Sequence, residues 1–313
     1  MEHGWGGAFL SGEEEGRRHW FCGGGFSLLA CFPYEFSWLC LIRAHRWPEV
    51  RVSTVKLKLT IAYDGSGYEG WQAQKTGVGV QSLVESALGK LFPSQPKVFS
   101  SSRTDTGVHA LGMAVHFEVS RAEWRMTTAR LLLALNAHLP QDIRVQMARR
   151  MPAEFHARFS AAGKEYRYQV WNHAAMNPLL RAQAWHCKRK LDLVAMRAAA
   201  RDFVGKHDFR SVRSNPTYDT DSTVRTLARC DIRRRGALLT FVIEGDGFLY
   251  KMCRGIVGTL VQIGEGKIPR DSVRQILAER DRCVAGMTAP AHGLFLWRVL
   301  YDSKNLHPKP RPE

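Results

Sequence analysis

Residues 100–117 read SSSRTDTGVHALGMAVHF, and this stretch decides how the chain around it is organised. Its second part predicts a buried strand, because Leu111, Met113 and Val115 alternate with smaller or polar residues. Its first part is a short polar loop that contains Asp105. A carboxylate on a loop that leads directly into a buried strand is held rigidly. The charge of Arg103, two residues away, would keep this carboxylate ionised where the fold brings the two side chains together.

The polar loop has two interpretations. Asp and Thr favour tight turns because their side chains hydrogen-bond nearby backbone amides, and Gly107 permits a positive φ or a close backbone approach. Taken alone, so short a motif favours an ordinary turn over a functional site. Choosing between an ordinary turn and a functional site requires evidence from other parts of the chain.

Composition favours a globular protein with a polyanionic partner. The chain has 313 residues, of which 45% are hydrophobic, enough for one large domain or two ordinary ones. A net charge of +16 and a pI of about 9.8 favour nucleic acid ahead of an acidic membrane surface, without selecting RNA over DNA. The seven cysteines include no C-x-x-C pair, and the histidines form no spaced set. This pattern argues against a metal site and for a reducing compartment.

Residues 1–53 differ from the rest of the chain. They hold four of the nine Trp residues and a Glu triplet, and no helical or strand periodicity persists in them. Their apolar run at 26–42 contains Pro33 and Glu35, is short for a membrane span, and follows an acidic cluster that does not suit a signal peptide. We expect a disordered extension or a start-site artefact, with the natural start near residues 50–55. A membrane or targeting extension is the alternative.

Hydrophobic periodicity up to residue 160 predicts an α+β unit. Strands are predicted at 55–63, 98–100 and 143–151 and directly after Asp105, and helices at 80–92 and 127–139. The order strand, helix, strand, strand, helix, strand is typical of a split βαβ unit. RNA-binding RRM modules share this plan, but the order of elements alone does not imply RNA binding.

The remainder of the chain predicts a second α+β unit. Helices are predicted at 193–204 and 271–279, residues 247–258 are predicted to open a long apolar helix that starts at Gly247, and strands are predicted at 223–227 and 238–244 and up to residue 301. We therefore divide the chain into an N-terminal half, 54–160, a C-terminal half, 161–304, and a loose Pro-rich tail, 305–313.

Aromatic and basic residues are interleaved at the start of the second half. Tyr166 and Tyr168 have the same parity on a strand and share a face, and Arg158 and Arg167 lie among aromatic residues. Arginine binds phosphate and aromatic rings stack on an extruded base, although half-buried tyrosines on an ordinary strand are the commoner case. Arg254 stands in an apolar stretch, so its charge needs a partner or a polar cleft, unless it lies on the exposed face of its helix.

Five segments, in order, resemble the motifs of the TruA family of tRNA pseudouridine synthases. They are YEGWQAQ at 68–74, RTDTGVHA at 103–110, FHARFSA with KEYRY within 155–168, FLYKMCR at 248–254 and APAHGLFL at 289–296. The resemblance covers residues 56–302, and five motifs in order are far more specific than one. The chain has Ser102 where the family usually has Gly, and Cys253 where it usually has Val.

The resemblance implies a pseudouridine synthase fold: two similar split-βαβ halves whose sheets join, mostly antiparallel, with a basic cleft between them. It implies that Asp105 is the catalytic nucleophile and that Arg254 is its ion-pair partner across the cleft. Tyr166 would lie against the target base, stack on the uracil and assist proton removal from its ring. We expect Arg103 to help hold the flipped nucleotide.

The resemblance also implies isomerisation of uridine to pseudouridine at positions 38–40, in the anticodon arm of tRNA. The expected enzyme is a cytoplasmic homodimer in which one tRNA contacts both subunits, without membrane association. The reaction is redox-neutral and forms as many bonds as it breaks, so neither a cofactor nor a metal is expected. Two alternatives remain: a non-catalytic basic RNA-binding protein, and a structural or membrane-tethered basic protein that uses the N-terminal apolar run.

Overall fold

The structure is a computed structural model, and it describes residues 53–72, 77–214 and 222–302. The chain divides into a unit Met1–Val50 and a unit Arg51–Glu313, and every described residue belongs to the second unit. The predictions made for the N-terminal extension and for the C-terminal tail lie outside the described residues.

The N-terminal part of the sheet has the strand order β4-β1-β3-β2, with all neighbours antiparallel. Its elements are β1 (Thr54–Tyr63), α1 (Val80–Gly89), β2 (Phe99–Ser100), β3 (His109–Ser120), α2 (Thr128–His138) and β4 (Ile143–Met151). Strand β1 follows its predicted alternation, since Leu57, Leu59 and Ile61 are fully buried. Thr127 caps α2 by accepting a hydrogen bond from the backbone N–H of Arg130.

The C-terminal part of the sheet repeats this plan with the strand order β10-β5-β9-β8, again antiparallel, and β7 at its edge. Its strands are β5 (Ala161–Asn172), β6 (Trp185–Cys187), β7 (Gly205–Asp208), β8 (Val224–Arg235), β9 (Leu238–Gly245) and β10 (Leu294–Tyr301). Its helices are α3 (Leu193–Asp202), α4 (Met252–Gly264) and α5 (Val273–Glu279). Strand β6 pairs in parallel with β5.

One short parallel ladder joins the two parts into a single sheet. Strand β10 pairs with β3 through Phe295 opposite His109 and Leu296 opposite Ala110. Since β3 begins four residues after Asp105, the Asp105 loop meets the second half of the fold at this joint. The predicted α+β fold, with two split-βαβ halves in a mostly antiparallel sheet, is confirmed.

Two local predictions were wrong for identifiable reasons. Leu111 is 38% exposed, because a β-bulge sets Leu111 and Gly112 together opposite the single residue Ala62 and breaks the alternation. Helix α4 begins at Met252 and not near residue 247, because Lys251 has a left-handed backbone with φ of 56°.

Candidate active site

The loop that carries Asp105 is anchored to the turn after β1. The hydroxyls of Tyr63 and Thr104 share a hydrogen bond of 2.8 Å, and the backbone N–H of Trp71 donates to the Thr104 carbonyl at 3.2 Å. The Gly107 N–H donates to the Tyr68 carbonyl at 3.3 Å. Trp71 is buried in the core. These contacts on both sides of Asp105 fix the direction in which its side chain leaves the loop.

Gly70 allows this turn to approach the loop. Its φ is +90°, and a Cβ atom there would lie 2.3 Å from the Thr104 carbonyl oxygen and 3.0 Å from the Asp105 carbonyl carbon. No other residue type fits both the backbone angle and the space. The position of Asp105 therefore depends on a glycine 35 residues earlier in the chain.

Asp105 forms an ion pair with Arg254, which lies in the first turn of α4. The Arg254 Nη1 donates to the Asp105 Oδ2 at 3.1 Å, and the two side chains are 13% and 19% exposed. The Arg254 Nε donates to the Ala289 carbonyl at 2.7 Å, and the Ala289 N–H donates to the Arg254 carbonyl at 3.0 Å. Ala289 therefore fixes both the Arg254 backbone and the Nε of its guanidinium, while Nη1 contacts the carboxylate.

Opposing influences set the pKa of Asp105. Burial raises this pKa above its usual value, while the charge and hydrogen bond of Arg254 and the charge of Lys251 lower it, and burial is the larger effect. The expectation that Arg103 keeps Asp105 ionised was wrong, because the cations that act on the carboxylate come from the start of α4. Arg103 is exposed, and its side chain has no hydrogen bond or ion pair within the described residues.

Tyr166 lies on β5 and is 8% exposed. Its ring meets the ring of Phe248 edge to face, with centroids 4.9 Å apart. Burial raises the pKa of its hydroxyl far above the usual value, and the neighbouring Cys253 and Asp105 raise it further. Tyr166 is therefore a neutral phenol at physiological pH, which can stack or donate a hydrogen bond but cannot act as a phenolate base.

The two arginines near Tyr166 have different environments. Arg167 forms an ion pair of 2.7 Å with Glu165, and its guanidinium lies 3.6 Å from the centre of the Trp297 ring. Arg167 is therefore engaged within the protein, on the face of β5 opposite Tyr166. Arg158 is exposed, with its guanidinium 5.7 Å from the centre of the Phe159 ring.

Sequence reasoning gave no role to His109, which ties the Asp105 loop to the second half of the fold. Its Nδ1 accepts from the Gly65 N–H at 3.0 Å, and its Nε2 lies 3.0 Å from the carbonyl oxygens of Ala182 and His292. Since carbonyls only accept, Nε2 carries the proton. The imidazole also stacks on Phe295, with ring centroids 4.7 Å apart. The only sequence signal for this role was the place of His109 inside the RTDTGVHA motif.

The described part of the chain contains neither a cluster of metal-ligand side chains nor a helix suited to span a membrane. Within residues 53–72, 77–214 and 222–302, no group of three or more His, Cys, Asp or Glu side chains could hold a metal ion. Over the same ranges, no helix is both long and apolar enough to cross a membrane.

The comparison with known families identifies the class of protein. A family model described as tRNA pseudouridine synthase matches residues 59–160 and 199–302. These ranges contain the Asp105 loop, α4 and β10. The chain belongs to the tRNA pseudouridine synthase family.

Curated relatives named tRNA pseudouridine synthase A are similar over nearly their whole length. The protein from Methylacidiphilum infernorum is 40% identical over 252 residues, which cover 80% of this chain and 98% of the relative. The protein from Acetivibrio thermocellus is 42% identical over 245 residues, 78% of this chain and 99% of the relative. The protein from Geobacillus kaustophilus is 42% identical over 259 residues, which cover 81% of this chain and 97% of the relative. A solved Cbf5-Nop10-Gar1 complex contains a chain with a TM-score of 0.33 and 11% identity, over 78% of this chain and 50% of that one, too distant to carry an argument.

Proposed function

We propose that this protein isomerises uridine to pseudouridine in tRNA, at positions 38–40 of the anticodon arm, with Asp105 as the nucleophile. The observation that carries this proposal is the part-buried ion pair between Asp105 and Arg254 on a loop anchored from both sides. Such an arrangement supplies a positioned carboxylate beside a fixed positive charge that favours its ionised form, which suits nucleophilic catalysis.

The chemistry uses groups that this chain contains. The bond between the uracil nitrogen and the ribose carbon breaks, a carbon of the same uracil bonds to that ribose carbon, and the ring carbon's proton moves to a nitrogen. No electrons are gained or lost, and every atom of the substrate is kept. Asp105 attacks the target nucleoside in its ionised form, and the bond it forms is broken again before the product leaves, which regenerates the carboxylate. Arg254 holds the carboxylate in line and lowers its pKa.

The target base has to leave its stack before Asp105 can reach it. Tyr166 presents a neutral aromatic ring close to Asp105, which suits stacking on the extruded uracil. Because the Tyr166 hydroxyl keeps its proton, Tyr166 would assist proton removal from the ring by hydrogen bonding as a neutral phenol, and not by acting as a phenolate base. Arg103 stands two residues before Asp105, and its guanidinium has no hydrogen bond or ion pair within the part of the chain that the structure describes. It helps hold the flipped nucleotide.

The setting of the reaction is part of the same proposal. The anticodon arm binds in a basic cleft between the halves 54–160 and 161–304, and the net charge of +16 supports this binding. The protein acts in the cytoplasm as a homodimer in which one tRNA contacts both subunits. Sedimentation of the full chain with and without tRNA tests this stoichiometry, and a one-to-one complex of monomer and tRNA would contradict it.

The decisive test is to incubate the full chain with a tRNA that contains uridine at positions 38–40 and to map pseudouridine by carbodiimide labelling. Asp105→Asn should form none while it still binds the tRNA. Asp231→Asn is the matched control, because Asp231 is a half-exposed carboxylate paired with Arg229 away from the loop, and it should behave like the parent. Binding without product by the parent would favour the non-catalytic RNA-binding alternative. Product formed by Asp105→Asn would remove Asp105 from the mechanism.

A further inference from the structure

Lys164 connects strand β5 to the Asp105 loop. Its ammonium donates a hydrogen bond of 2.7 Å to the carbonyl of Ser101, four residues before Asp105. Lys164 and Tyr166 are two residues apart on an uninterrupted stretch of β5, so their side chains leave the same face of the sheet. The ammonium therefore lies on the side of the sheet where Tyr166 stands, and it contacts the loop that carries the proposed nucleophile.

Arg225 lies on this same face, two strands away. Lys164 is opposite Gly245 on β9, and Gly245 is opposite Leu227 on β8. Arg225 precedes Leu227 by two residues, so it shares the face of Leu227 and Lys164. Its Nη1 donates to the Ser222 carbonyl at 2.9 Å, which holds the guanidinium without neutralising it.

Arg158 is the third cation of this group, and it stands three residues before the start of β5. Burial, together with the smaller effects of the charges of Arg158 and Arg225, lowers the pKa of the Lys164 ammonium to about 8. The charge of Asp246 acts on Arg225 and raises its pKa, against the larger effect of burial. None of these three cations has an ion pair with an acidic side chain in the described ranges.

Three other cations on the sheet are compensated. Lys56 is paired with Glu118 at 3.0 Å, and Arg167 and Arg298 both pair with Glu165 at 2.7 Å. Three mutually repelling cations without such partners, one of them desolvated, are unfavourable unless an anion binds among them. Lys164 uses one N–H for Ser101, which leaves two donors for an incoming anion.

We propose that Arg158, Lys164 and Arg225 form a binding site for a backbone phosphate of the RNA strand that carries the target nucleotide. The proposal rests on the proposed function and names a contact that this function requires. A phosphate here would be linked through Lys164 to the Ser101 carbonyl, and so to the loop of Asp105. Binding of the RNA backbone would then fix both the strand and the nucleophile in one step.

The salt dependence of binding tests this site directly. Each phosphate contact contributes roughly 0.7 to 0.9 to the slope of log K against log salt concentration. We would titrate labelled tRNA with the full chain carrying Asp105→Asn, which prevents turnover, with and without Lys164→Met. We expect the slope to become shallower by about that amount and the affinity to fall about tenfold. Lys164→Arg should restore the slope, because it keeps the charge.

The matched control is Lys267→Met, which removes the same charge from a lysine that is paired with Glu265 and half-exposed, and it should leave the slope unchanged. If Lys164→Met does not fold, Arg158→Gln, at an exposed position, replaces it with the same expected change. An unchanged slope in these variants, or the same change in the control, would overturn the proposed phosphate site. Pseudouridine formation by the parent is measured separately. The proposed phosphate site can therefore be refuted while the proposed activity is supported, and the proposed activity can be refuted while the phosphate site is supported.

Discussion

Replacing Gly70 by alanine should inactivate the enzyme by displacing the loop that carries Asp105. The added Cβ would lie 2.3 Å from the Thr104 carbonyl oxygen, and real Cβ atoms essentially never come closer than 3.0 Å to such an atom. Because packed interiors yield little, the carbonyl would have to retreat by roughly 0.7 Å, and Asp105 would move with it.

Two magnitudes follow for Gly70→Ala. Holding a non-glycine residue at a φ of +90° costs about 1–3 kcal/mol. A cost of about 2 kcal/mol, the middle of this range, lowers Tm by about 4–8 °C in a domain of this size. A displacement of the nucleophile approaching 1 Å lowers kcat roughly 30- to 100-fold. Affinity for tRNA should change little, because the Gly70 backbone is not part of the basic surface.

The assay compares single-turnover pseudouridine formation, tRNA affinity and thermal unfolding for the parent, Gly70→Ala and Gly67→Ala. Gly67 is the control from the same turn, because a Cβ added there meets nothing within 4 Å and its backbone needs no left-handed angle. Gly67→Ala should match the parent in all three measurements. A Gly70→Ala protein with a rate within threefold of the parent and an unchanged Tm would refute the view that Gly70 positions Asp105.

Two further predictions concern charged groups. Arg254→Gln removes the main influence that lowers the pKa of Asp105, so the acidic limb of the kcat/KM profile should move to higher pH, and an unmoved limb would separate Arg254 from the nucleophile. Glu165→Gln should lower the free energy of unfolding at about pH 7 by about 2 kcal/mol, because it leaves two arginines without their shared carboxylate. Those arginines lower the pKa of Glu165 in the folded state. The ionised Glu165 therefore stabilises the folded protein at pH values above its unfolded-state pKa, and this contribution is lost as the pH falls through its folded-state pKa. Urea unfolding of both proteins at about pH 7 and about pH 4 should therefore show a smaller difference at the lower pH, and a constant difference would contradict this origin.

Periodicity was sufficient to predict the plan of the fold. Strand β1 and strand β4 fall within one residue of their predicted bounds, because each carries a long alternation of apolar residues. The alternation rule failed at Leu111, where a bulge inserts one extra residue into β3. A bulge is set by the pairing of two strands, so one strand's sequence does not reveal it.

Only the site residues that belong to sequence motifs could be predicted. Asp105 and Arg254 are 149 residues apart, and no local pattern states that they meet. The family resemblance supplied that pairing, whereas residue spacing alone suggested Arg103, which turned out to be exposed. The supporting contacts of Gly70 and His109 depend on close approaches between distant segments, which become visible only once the chain is folded.

The joint between β3 and β10 has a consequence for the synthesis of this protein on the ribosome. Strand β3 ends at Ser120 and β10 begins at Leu294, so about 170 residues are added before the joining strand exists. At roughly 5–20 residues per second, about 9–34 s pass before β10 has been synthesised and can pair with β3 beside the catalytic loop. During that interval the nascent chain presents the open edge of β3 at the residues that β10 later covers. Protection of this edge by chaperones during translation should therefore matter more for the yield of active enzyme than the stability of either half.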